Sequence, residues 1–180
     1  MVDRYESIYK DAIKLIEKHN TRDPELILKE RNVHLLPFTG ETHALGMYVV
    51  IKRNSFVFYN PSIDDDFKRM MFAHELGHDL YHKQEAKKGL SEFTLFDVKS
   101  SLEYEANLFA SHLLLDEEEI IDYGKMGYDL EQIAQNMRVN VNLLLFKFYG
   151  MNKLGYDFNL DRSLDRKFFK DIDGKNRKRV

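Results

Sequence analysis

The sequence predicts an α+β domain in which helices flank a small antiparallel sheet. Three observations carry this. Residues 3–19 and 101–114 repeat apolar side chains at helical spacing, and residues 33–60 switch to runs of β-branched and aromatic residues. Between them, the stretch Met70 to His82 reads MMFAHELGHDLYH, a helical pattern carrying His74-Glu75-Leu76-Gly77-His78.

Taken in order, Val2, Tyr5, Ile8, Tyr9, Ala12, Ile13 and Ile16 line one face of an amphipathic helix with Asp, Glu and Lys opposite. Asp23-Pro24 is a cap followed by a proline suited to the first helical turn, which starts a short helix to about Glu30. Residues 33–38, 43–51 and 55–60 then read as strands, with Lys52-Arg53-Asn54 as the turn between the last two. Asp64 or Asp65 caps the helix that carries the histidines. That helix is apolar on both faces and is expected to be buried, one face on the sheet and the other toward whatever segment completes the site around its histidines. Gly77 lowers its helix propensity by about 1 kcal/mol relative to Ala and marks a close approach by another segment. Residues 83–99 are polar and broken by Gly89, a loop or a flap. Ser100 or Ser101 caps the helix LEYEANLFASHLLL, and three or four short helices follow, with caps and helical periodicity over 117–123, 129–137 and 140–149. The expected domain covers 1–155, with a charged extension over 156–180 that ends in a frayed tail.

With 43% hydrophobic and 32% charged residues, the composition is that of a water-soluble globular protein. The absence of cysteine rules out disulfides and cysteine-ligated zinc modules. No apolar leader or membrane span is visible, so the expected location is the cytoplasm. A net charge of -3 argues against direct, non-specific binding to nucleic acid or membranes.

The run from His74 to His78 is where chemistry is expected. Histidines four apart on a helix lie about 40° from one another, so both imidazoles reach one ion. Zinc takes neutral imidazole nitrogen, accepts two histidines with a carboxylate, and leaves a fourth position for water. Glu75 lies beside that face, where it can take a proton. His82 shares the face, but a continuous helix places it about 12 Å from His74 along the axis, too far for a common ion. The helix at 101–114 offers Glu103 and Glu105, about 200° apart, so at most one faces the metal. Glu103 is preferred because Asn107, one turn later, is placed to hold a ligated carboxylate. Glu105 is expected in solvent or at the cap, and His112 points away from Glu103.

HELGH followed by ExxANxFAxxLL resembles the ImmA/IrrE family of zinc metallopeptidases. Here the two elements are AHELGHDLYH at 73–82 and EYEANLFASHLLL at 103–115, and the pair is specific where either half alone is not. The resemblance implies a zincin-like minimal metallopeptidase, with zinc held by His74, His78 and Glu103 and with Glu75 as the catalytic base. It also implies a protein substrate, a helix-turn-helix repressor whose cleavage derepresses phage or mobile-element genes. His82, Tyr81 and Tyr104 are candidates for a second electrophile. One departure is visible: Asp116 stands where members usually carry proline, which leaves the helix end open.

A competing reading comes from residues 130–140, which have the look of a helix-turn-helix. The would-be recognition helix, NVNLLLFKFYG, is nearly all apolar with Lys147 its only charge before Gly150, whereas base and phosphate contacts need polar side chains. That segment is expected to be core, and a DNA- or protein-binding regulator with a structural zinc site is the alternative to the enzyme.

Overall fold

Helix α1 (Arg4–His19) buries Ile8 and Ala12 of the expected stripe, and with them Leu15, which that stripe did not include. The computed structural model describes residues 4–92, 96, 100–156 and 158. Helix α2 (Pro24–Glu30) begins where Asp23 accepts hydrogen bonds from the Glu25 and Leu26 amides.

Strands β1 (Val33–Pro37), β2 (Gly46–Ile51), β3 (Asn54–Tyr59) and β4 (Leu90–Glu92) form one sheet in the order β1-β3-β2-β4. The hairpin between β2 and β3 closes through Lys52 and Arg53, both at positive φ (48° and 71°), the conformation of a tight two-residue turn. The expectation of a wholly antiparallel sheet is corrected at β1. It pairs parallel with β3, Val33 opposite Ser55 and Pro37 opposite Tyr59. The chain reverses between β1 and β2 and again at the hairpin, so β3 returns to the direction of β1. With Phe56, Val57 and Phe58 it is apolar on both faces and takes the central place.

The connection after residue 82 also differs from the loop or flap expected. It contains a 3-10 turn, Glu85–Lys88, and then β4, an edge strand antiparallel to β2 with Leu90 opposite Tyr48. Three residues with one large apolar side chain carry no alternation to read. Residues 93–95 and 97–99 of that connection lie outside the described residues.

Helix α3 (Asp65–Tyr81) is capped by Asp64, whose side chain accepts from the Phe67 amide, and α4 (Ser101–Leu114) by Ser100, which accepts from the Glu103 amide. α3 packs on β2, β3 and α2 with one side and on α4 with the other, as its two apolar faces require. α4 is buried at every position from Tyr104 to Leu114 and is enclosed by α3, α1 and α7 (Val141–Lys153). Arg22 closes its C-terminal end: Nη1 donates to the Leu113 carbonyl at 2.9 Å and Nη2 to Asp116 at 2.6 Å. Asp116 in turn caps α5 (Glu117–Lys125), accepting from the Glu118 and Glu119 amides. The departure from proline therefore ends one helix and starts the next.

Asp79, the residue after His78, is fully buried and locks α3 to the sheet side. It accepts from Tyr48 Oη at 2.8 Å and from Arg31 Nε and Nη2 at 2.9 and 2.6 Å. Burial alone would raise its carboxyl; the hydrogen bond from Tyr48 and the Arg31 guanidinium outweigh that and hold it below the usual carboxylate range. The lock carries no sequence pattern, because Arg31 and Tyr48 come from two different elements.

Helices α6 (Leu130–Asn136) and α7 form the helix-turn-helix look-alike. Leu143 to Phe148 are all buried in α7, and Arg69 of α3 donates to the Met137 and Arg138 carbonyls in the turn. This is the core packing expected of so apolar a segment. Of the expected extension over 156–180, only Tyr156 and Phe158 fall within the described residues. Among the described residues no helix is long and apolar enough to cross a membrane.

Lys147 is 1% exposed, with Nζ 3.0 Å from Glu117 Oε1 and 3.2 Å from His112 Nδ1. Burial pushes its amine down to about 8, while in the unfolded chain it titrates near 10.5. Between those values the folded state binds fewer protons than the unfolded state, so stability rises with pH. Relative to Lys147→Met, the wild type should therefore gain roughly 3 kcal/mol from pH 8 to 10.5. Urea midpoints of the two proteins across that range check it, and a constant difference contradicts it.

Candidate metal centre

The centre is assembled from two helices that pack along one another and approach with unusual closeness at one position. A Cβ on Gly77 would lie 2.9 Å from the Ala106 Cα and 3.2 Å from its carbonyl oxygen, so only glycine admits α4 at this distance. The close approach anticipated for Gly77 is thus made by α4. Ala106 is flanked on α4 by the residues that matter: Glu103 one turn before it and Asn107 just after.

At that crossing three ligand atoms, one each from His74, His78 and Glu103, lie within 4.8 Å of one another. His74 Nε2 is 3.0 Å from His78 Nε2 and 3.2 Å from Glu103 Oε2, and His78 Nε2 is 3.7 Å from Glu103 Oε1. A tetrahedral ion with bonds of 2.0–2.1 Å separates its donors by roughly 3.3 Å, within the observed range. Glu103 occupies the first turn of α4, where the helix dipole favours a negative charge. Burial would raise its carboxyl, but its interactions with the His74 and His78 imidazoles outweigh this and hold it far below the usual carboxylate range. Burial pushes His78 down to about 4, so its imidazole is neutral and its lone pair available at neutral pH.

The outward nitrogens of the two histidines are held by different partners. His74 Nδ1–H donates to Asn107 Oδ1 at 2.7 Å. Asn107 therefore supports the imidazole of His74, where the sequence pointed to the Glu103 carboxylate: one turn along α4 from Glu103, its amide reaches across the crossing to α3. With Nδ1 protonated, neutral His74 turns the bare lone pair of Nε2 toward His78 and Glu103. Three Lewis bases then converge on one point, an arrangement that a cation fits.

Behind His78 the sequence expectation is also corrected. His82 stays out of the ligand set, as the helix geometry required, but its Nδ1 is 2.8 Å from His78 Nδ1 and its Nε2 is 3.3 Å from Glu105 Oε2. Glu105 is buried rather than solvated, and it is paired with Arg4 from α1. The partner that makes burial tolerable is about a hundred residues away in the chain, so nothing local to Glu105 announces it.

Glu75 is fully buried and points under the start of β2, where a Cβ on Gly46 would lie 2.8 Å from its Oε1. The absence of a side chain at Gly46 makes room for this carboxylate and for Met71. The three candidates for a second electrophile lie elsewhere. His82 is behind His78, Tyr81 donates to Asp11 at 3.3 Å under the Arg4 guanidinium, and Tyr104 packs against Tyr5, Phe146 and Tyr149. His112 is fully buried near Lys147, on the other side of α4.

A buried pair of histidines one turn apart, with a carboxylate brought in from the next helix of an α+β scaffold, has the makings of a metal-dependent hydrolase. The chain belongs to the ImmA/IrrE family of metallopeptidase type, matching the IrrE N-terminal-like domain of peptidase family M78 over residues 17–149. It is also 31% identical over 129 residues to a protein of Bacillus phage phi105 named "Uncharacterized immunity region protein 2", a match covering 71% of this chain and 81% of that protein.

Gly77→Ala separates two opposing effects. Helix propensity favours alanine by about 1 kcal/mol, whereas overpacking against the backbone at Ala106 costs about 1–3 kcal/mol. The clash should win, lowering stability and moving Glu103 away from the histidines. Urea denaturation and zinc titration of the variant test this; an unchanged zinc affinity with raised stability would contradict it.

Proposed function

We propose that this protein is a zinc endopeptidase of zincin-like architecture. In this reading His74, His78 and Glu103 hold the ion, Glu75 is the general base, and the substrate is a helix-turn-helix transcriptional repressor. The observation that carries it is the convergence of two buried imidazole Nε2 atoms and a carboxylate, with each histidine's other nitrogen engaged elsewhere. Zinc suits two neutral imidazoles and one carboxylate, and when bound it supplies Lewis acidity at a position left open to water and the scissile carbonyl. Glu75 takes the proton of the attacking water and delivers it to the leaving amine. Gly46 leaves its carboxylate room against β2, and Asn107 keeps the His74 ring turned so that Nε2 faces the ion.

An extended substrate segment would be held by strand addition. The edge nearest Glu75 is β4, whose Glu92 stands opposite Gly46 in the sheet. A repressor as substrate is supported by the family and by the phage immunity region named for the relative. Cleavage between its DNA-binding and oligomerising parts would release the genes it holds silent, in the cytoplasm where the repressor acts.

A regulator that binds DNA or protein around a structural zinc ion has less support. The helix that would read DNA spends Leu143 to Phe148 on the core, its mid-helix Lys147 is buried, and Arg138 in the turn is paired with Asp66.

Glu75→Gln separates the enzyme from a zinc-stabilised binding module. The variant should keep one zinc per chain, by metal analysis, and lose about 10²–10⁴-fold in the rate of repressor cleavage. Cleavage at the wild-type rate would rule out the base. Incubating zinc-loaded protein with the repressor encoded beside it, followed by mass spectrometry, should give two fragments from a single cut; an intact repressor removes the substrate assignment and leaves the metal site standing.

A further inference from the structure

The two histidines that face the ion are not supported alike. His74 leans on a neutral amide, Asn107 Oδ1 at 2.7 Å. His78 leans on a second imidazole, which leans on a carboxylate, which is paired with a guanidinium. The distances are 2.8 Å from His78 Nδ1 to His82 Nδ1 and 3.3 Å from His82 Nε2 to Glu105 Oε2, and Arg4 Nη2 meets the same Oε2. His78, His82 and Glu105 are all buried, and only Arg4 at the outer end reaches solvent.

The donors and acceptors of this chain run in one consistent direction. With its Nε2 lone pair turned to Glu103 and the ion, His78 carries its proton on Nδ1 and donates it to His82 Nδ1. His82 is thereby the acceptor at Nδ1, and its proton resides on Nε2, from which it donates to Glu105. Glu105 accepts from His82 and from Arg4, and a carboxylate has lone pairs enough for both. Reversing any link leaves a buried donor facing a donor or an acceptor facing an acceptor, which costs about 1–3 kcal/mol per unsatisfied group.

We infer that His82, Glu105 and Arg4 are positioning residues that fix His78 as the Nδ1–H tautomer and make it the more electron-rich of the two histidines. The inference rests on the reading of His78 as a metal ligand. It gives α1 a part in the metal centre, because Arg4 is the first residue of that helix and also stacks over Tyr81, with its guanidinium carbon 4.7 Å from the ring centroid. It explains why a glutamate and a histidine outside the ligand set are sealed in the interior. It also accounts for His82 four residues beyond His78: that spacing, useless for ligation, places one imidazole directly behind another.

The test uses the full-length protein and zinc. Apparent zinc affinity is measured by competition with a chromophoric chelator, and histidine tautomers by long-range proton–nitrogen correlation spectra of the zinc-loaded form. His82→Phe and Glu105→Leu should each weaken zinc about 10–100-fold. Glu105→Gln, which keeps an acceptor for His82, should recover most of that loss, and Arg4→Met, altered at the exposed end, should have a smaller effect than Glu105→Leu. In the wild type His82 should read as protonated at Nε2, a preference that Asn107→Leu leaves in place. Wild-type zinc affinity in His82→Phe, or a His82 protonated at Nδ1, would overturn the inference while leaving the zinc site intact. If instead zinc binding is indifferent to His74→Ala and Glu103→Ala, the metal reading fails and the inference falls with it.

Discussion

The contact between Gly77 and Ala106 is the constraint on which the rest depends. Packed helices ordinarily keep their axes 8–10 Å apart, and a carboxylate on one reaches an imidazole on the other only when small residues face each other where they cross. Here a glycine meets an alanine. The ligand atoms fall within 4.8 Å because the two backbones are close, and not because any side chain is long. α4 is enclosed on all sides and held at its C-terminal end by Arg22, so it has little freedom to retreat from α3. Rigidity at the crossing is thus a property of the whole helical layer.

That closeness brings a cost of its own. α3 carries His74, Glu75, His78 and Asp79 into a setting with no solvent exposure, in a helix whose apolar faces already demand burial. Uncompensated, such groups would each cost several kcal/mol. The helix resolves this by direction. Asp79 turns to Arg31 and Tyr48 and fastens the sheet; Glu75 turns under Gly46; His74 and His78 turn to Glu103 and are supported from behind. The polar residues that hold the fold and those that form the centre alternate along the same two turns, so the centre cannot be rearranged without loosening the sheet.

What was legible in the sequence was whatever is written within one element. Asp23, Asp64, Ser100 and Asn140 cap their helices because capping needs only a side chain and amides two or three residues away. His74, His78 and Glu103 could be singled out because each lies on a recognisable helical face. Pairings between elements were not legible. Nothing local distinguishes a parallel from an antiparallel neighbour for β1, and β4 is too short to alternate. Asn107 reads equally well as support for the carboxylate on its own helix or for the imidazole on the next. Glu105 looks like a surface acid until Arg4 and His82 are placed beside it.

The same limit explains why α6 and α7 resemble a DNA-reading motif. A capping box at Asp129 and Gln132, a turn through Arg138 at a φ of 56°, and a second cap at Asn140 are local features, and any pair of short helices joined by a tight turn will share them. What separates a recognition helix from a core helix is the chemistry of its outer face. α7 has little outer face to offer: its apolar residues pack on α4, and its one mid-helix cation is turned inward to Glu117. The helix completes the wall that presses α4 against α3. Its apolar character, which disqualifies it from reading bases, is what the metal centre requires of it.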